Sequence, residues 1–106
     1  MPKYLVRASY TEEGLKGLLK EGGSKRREAV EQLIKGLGGT VEAFYYAFGD
    51  DDVFFIIDGV DNVSAATASI VANATGAVTA KITVLLTPEE IDEAVKRAAE
   101  YRPPGQ

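Results

Sequence analysis

The segment TVEAFYYAFGDDDVFFIIDG, Thr40 to Gly59, limits what this chain can fold into more than any other stretch. Two β-branched and aromatic runs flank Gly49-Asp50-Asp51-Asp52. Glycine accepts positive φ and aspartate bonds to nearby backbone, so the four residues predict a chain reversal and the flanks predict a hairpin. Consecutive carboxylates at a hairpin tip splay outward, and the run lacks the spacing of a calcium loop. A turn is expected there, with no metal, and Asp52 is expected to fix it by accepting backbone N–H groups.

The rest of the chain supplies partners for that hairpin. In PKYLVRASY, Tyr4, Val6, Ala8 and Tyr10 alternate with Leu5, Arg7 and Ser9, which predicts a first strand. TEEGLKGLLKEGG predicts a short helix capped by Thr11, with Leu15, Leu18 and Leu19 as its apolar stripe. SKRREAVEQLIKGLGG predicts a longer helix capped by Ser24, with Val30, Leu33, Ile34 and Leu37 at i, i+3, i+4 and i+7. After the hairpin, an Asp61/Asn62 cap opens a third helix, whose buried stripe is read as Val63, Ala66, Ile70 and Ala74. AVTAKITVLL is the fourth strand, and Thr87, Pro88 and Glu90 form a capping box ahead of PEEIDEAVKRAAEY.

This order predicts an α+β, ferredoxin-like βαββαβ fold with a helical insertion after the first strand and a C-terminal helix. Its four-stranded antiparallel sheet carries helices on one face. Residues 1–101 are expected to form one domain and 102–106 a flexible tail.

Composition removes several function classes. The 106 residues contain no histidine, cysteine or tryptophan. Disulfides, thiolate nucleophiles, thiolate metal sites, the usual haem ligand and the commonest general base are therefore unavailable, and no cofactor is expected. The net charge of −4 argues against a phosphate-backbone partner, so no nucleic acid is expected. No apolar run reaches signal-peptide or membrane-span length, which predicts a soluble, cytoplasmic chain without a membrane partner.

Helices cover one face of such a sheet, so the other should be polar in a monomer. If Val41, Ala43, Tyr45 and Ala47 face the helices, then Glu42, Phe44, Tyr46 and Phe48 face away, joined by Phe54 and Ile56 of the next strand. That uncovered row predicts a homodimer or higher homo-oligomer, built by a two-fold pairing of sheet faces. Arg7, Ser9, Tyr46, Thr79 and Lys81 are then candidates for holding a small organic molecule or anion beside an aromatic wall. The competing reading has Arg7 and Lys81 pairing with Glu42 or Asp58 at a filled interface. Lys81 as a Schiff-base nucleophile would need a desolvated pocket. A second anion candidate is EGGSKRRE, where Ser24, Arg26 and Arg27 stand at a helix N-terminus, against the alternative of a capped helix with solvated or paired arginines.

KYLVRASYTEEGLKGLLKEGGSKRREAVEQL, GGTVEAFYYAFGDDDVFFIIDGVDNVSAA and TGAVTAKITVLLTPEEIDEA together resemble the GYD-domain family, from Tyr4 to Ala94. Gly49 and Asp52 resemble the glycine and aspartate that name the family, while Asp51 stands where tyrosine is usual. The resemblance implies the dimeric α/β-barrel form of the ferredoxin-like fold. That superfamily includes cofactor-free monooxygenases, isomerases, haem-handling enzymes and plain binding modules, so the resemblance implies no single activity. Ligand binding, a ligand-free structural or interaction role, and regulatory amino-acid binding all fit this topology. An RNA-recognition role needs a basic third strand, which VFFIID is not.

Overall fold

A computed structural model describes residues 2–106. The elements run β1 (Lys3–Tyr10), α1 (Glu12–Glu21), α2 (Gly23–Gly36), β2 (Thr40–Tyr46), β3 (Val53–Asp58), α3 (Asn62–Ala74), β4 (Val78–Leu85) and α4 (Pro88–Lys96). All three strand pairings are antiparallel, in the order β2-β3-β1-β4. The chain is therefore α+β, with one four-stranded antiparallel sheet and four helices.

Strand alternation sets the core. Tyr4, Val6 and Ala8 of β1 and Val53 and Ile57 of β3 are buried on one face, against Ile34 of α2 and Ala65 and Ala68 of α3. Ladder partners share a face, so Leu5, Arg7 and Ser9 lie opposite to this core with Phe54 and Ile56. Thr79, Lys81, Thr83 and Leu85 of β4 join them.

In β2 the alternation breaks. Val41 pairs with Ile57, but Ala43 pairs with Ile56, so one extra residue is accommodated between them as a bulge. Every side chain beyond it changes face. Phe44 and Tyr46 therefore lie on the helix side, and Ala43 and Tyr45 on the open side. This corrects the strict alternation read from the sequence. Phe44 stacks on Phe55 with ring centroids 5.4 Å apart, inside the layer between sheet and helices.

Two helices also turn differently from their apolar periodicity. The core side of α3 is Ala65 and Ala68, whereas Val63 and Ile70 are exposed. Small residues let the helix approach the sheet closely, and this outweighs the larger apolar stripe. In α1, Gly14 is buried while Leu15 and Leu19 are exposed. A Cβ on Gly14 would meet the Ala77 carbonyl at 2.0 Å, so only glycine admits this approach. Ser24 lies within α2 rather than at its cap. The capping position is Gly22, whose φ of 84° lets α1 turn directly into α2.

The remaining caps match their sequence signals. Thr11 accepts from the Gly14 amide, Asp61 from the Ser64 amide at 2.7 Å, and Thr87 and Glu90 form a capping box. The Asp61 carboxyl is held below its usual pKa by that amide bond. Edge strand β4 is tied to α3 by Asn73, which accepts from the Ala80 amide at 2.9 Å and donates back to its carbonyl. Helix α4 has no buried residue, and the chain extends over 57 × 33 × 22 Å.

Candidate functional site

The three aspartates form a clamp at one end of the sheet. Asp52 Oδ2 accepts the Tyr10 amide at 2.8 Å, while its own amide donates to the Ala8 carbonyl and its carbonyl accepts from Ala47. Ser9 Oγ donates to the Asp50 carbonyl and to Asp51 Oδ1. Arg7 Nη1 stands 3.9 Å from Asp51 Oδ2. Asp52 therefore fixes the hairpin, as its residue type predicts, but it binds the neighbouring strand β1 as well. Among the described residues, no acidic, histidine or cysteine side chains cluster as metal ligands.

The open face of the sheet has two polar ends around an apolar middle. At one end Lys3 Nζ lies 2.7 Å from Glu42 Oε2 and 3.6 Å from Asp58 Oδ2, and these carboxylates raise the lysine pKa. Glu42 and Asp58 are thus engaged by Lys3 rather than by Arg7 or Lys81. At the other end Arg7 and Lys81 are ladder partners, flanked by the Ser9–Thr79 pair. Leu5, Phe54 and Ile56 form the middle, and Tyr45 stands exposed beside them.

Four of the five ligand candidates, Arg7, Ser9, Thr79 and Lys81, therefore share one corner of the open face. Tyr46 lies on the other side of the sheet. Its hydroxyl donates to the Gly23 carbonyl at 2.9 Å, and its ring packs edge-on to Phe44. Burial, together with the neighbouring Tyr10 phenol, pushes the Tyr46 pKa up to about 12.

At the α1–α2 junction, Arg26 lies 3.7 Å from Glu21 and Arg27 lies 3.6 Å from Glu31. Both guanidinium groups have carboxylate neighbours, and Ser24 makes no cap.

A mostly apolar concave space lies between sheet and helices. It is a cavity of about 400 Å³ with walls such as Phe44 and Phe55 from the sheet, Val30 and Leu33 from α2, and Ala68 and Ala72 from α3. Glycines 14 and 17 form part of the α1 wall. The space follows from residue sizes: alanines and glycines line two helices where larger side chains would meet the sheet. Glu13, Glu21 and Arg26 also line it and are partly exposed. The volume falls in the ordinary range for small-molecule sites, and the walls are mostly apolar with few polar groups.

The sequence pattern places Val30 and Leu33 on the apolar stripe of α2 and carries no sign that they line a cavity. The signal that bears on the cavity is the concentration of small residues in α1 and α3.

A family model described as the GYD domain matches residues 4–95, most of the chain and all of its strands but the first residue of β1. No curated protein and no solved structure matches. No described helix is long and apolar enough to cross a membrane.

Proposed function

The chain belongs to the GYD-domain family, and from that premise we propose that it is a cytoplasmic homodimer binding a small, largely apolar molecule in the cavity between sheet and helices. In this reading two ferredoxin-like protomers pair their open sheet faces into an α/β barrel. The strand order β2-β3-β1-β4, with helices on one face only, supports the architecture. The half-buried Leu5, Phe54 and Ile56, with exposed Tyr45 beside them, support the pairing.

The single observation that carries the ligand reading is the 400 Å³ apolar cavity. Pairing the open faces leaves that cavity on the far side of each sheet, so both protomers retain a site. The reading assigns binding and no reaction. Arg7, Ser9, Thr79 and Lys81 then serve the interface and its rim, where an anion from solvent or the partner can be held.

Native mass spectrometry and Nile red titration test it. The expected result is a particle of twice the 11.3 kDa chain mass, with saturable dye fluorescence that Ala72→Leu abolishes by filling the cavity. A dimer that leaves the dye dark overturns the ligand reading. It selects instead an interaction module without a ligand, a reading favoured by exposed Val63 and Ile70, which lie outside both cavity and open face.

A further inference from the structure

Helix α4 ends in solvent with its apolar side uncovered. Ile91, Ala94 and Val95 fall at i, i+3 and i+4, and Ile91 and Val95 are 46% and 67% exposed. A nine-residue helix is too short to persist alone, since isolated helices below ~12 residues are marginal in water. Its capping box fixes where it starts but supplies no surface to lie on. The chain's radius of gyration, 16.9 Å, exceeds the ~13 Å of a compact domain of this length. The arm needs a partner surface.

We propose that α4 crosses to a second copy of this chain and docks beside Arg7 and Lys81 of that copy. The inference rests on the sheet-to-sheet dimer proposed above. Three observations lead to it. First, area: four strands spaced ~4.8 Å apart, each about seven residues of ~3.3 Å, give an open face of roughly 450 Å², below the ~800 Å² per partner of a standard stable interface. An added arm from each chain makes up much of the difference.

Second, charge. Arg7 and Lys81 are like charges directly across a ladder, on a face that the dimer buries, and such pairs are destabilising unless a carboxylate joins them. Arg7 has Asp51 at 3.9 Å, while Glu42 and Asp58 are taken up by Lys3 at the other end. Helix α4 carries Glu89, Glu90, Asp92 and Glu93, and Asp92 borders the apolar stripe. Third, reach. The arm leaves Leu85 at edge strand β4 and buries no residue against its own chain, which leaves it free to pass onto the other protomer.

The chain has no cysteine, so Val95→Cys introduces a single attachment point for benzophenone maleimide. Photolysis is run on dimers mixed from isotopically light and heavy full-length protein. The expected product is a covalent dimer whose cross-linked peptides pair light with heavy chains and map to β1 or β4. Ile91→Asp/Val95→Asp is expected to weaken the dimer at least tenfold in analytical ultracentrifugation. Cross-links confined to single chains, or a dimer of unchanged affinity in the double variant, overturn the proposal while leaving the sheet-paired dimer standing. A wild-type chain that sediments as a monomer overturns both.

Discussion

The carboxylate of Asp52 accepts the backbone N–H of Tyr10 at 2.8 Å, joining the β2–β3 hairpin to the end of β1. A hydrogen bond to a charged group contributes about 1.5–3 kcal/mol. Asp52→Ala is expected to lose that amount in urea denaturation, and Asp52→Asn, which keeps an acceptor, to lose less. Asp50 contributes its backbone carbonyl to Ser9, so Asp50→Ala should stay within ~0.5 kcal/mol of the parent.

Two glycines of α1 are expected to respond in opposite directions. A methyl at Gly14 would lie 2.0 Å from the Ala77 carbonyl, which already accepts the Thr11 amide. Gly14→Ala should destabilise by about 1–3 kcal/mol, the range for overpacking a close contact. Gly17 has nothing within 4 Å of its would-be Cβ. Gly17→Ala should stabilise by ~0.5–1 kcal/mol through helix propensity alone. Thermal melts of the two variants check both signs.

Alkaline stability depends on Tyr46. Its folded pKa is raised from 10.0 to about 12, so the folded state holds the phenolic proton where the unfolded state has released it. The resulting stabilisation is complete below pH 10 and is lost as pH rises through about 12. Lys3, whose pKa is also raised, acts in the same direction, and its ammonium contribution fades as pH rises above 10.5. Absorbance titration in the tyrosinate band should show a component ionising near pH 12. Tyr46→Phe should remove that component and flatten stability between pH 10 and 12.

The dimer reading makes its own demand on Phe54, which lies on the open face opposite both Arg7 and Tyr45. Phe54→Lys should leave the circular dichroism of the protomer intact. It should weaken association by about 3 kcal/mol, on the order of a hundredfold in Kd, because the new charge is unpaired at the centre of the contact. Light scattering after size exclusion reads the change directly.

Element order, three of the four helix caps and the hairpin were legible because each has a local signal. Thr11, Asp61 and the Thr87–Glu90 box specify helix starts within four residues, and Gly-Asp-Asp-Asp specifies a reversal. Facing was legible in β1, β3 and β4, where alternation is unbroken. It failed in β2 because a bulge leaves little trace in a run as uniformly apolar as AFYYAF. Helix α3 failed for a related reason. Both of its sides are apolar, so periodicity cannot rank Val63 and Ile70 against Ala65 and Ala68, and the distance to the sheet decides. The cavity depends on three helices and a sheet meeting imperfectly, which no local pattern encodes.

The irregularity beside Glu42 reaches further than its own residue. Removing one amino acid there would rotate the distal half of its strand by half a turn, carrying the Phe44 ring out into water and drawing Tyr45 inside. Strand length at this point, more than side-chain identity, is therefore what related chains must preserve if they are to keep the same inside and outside.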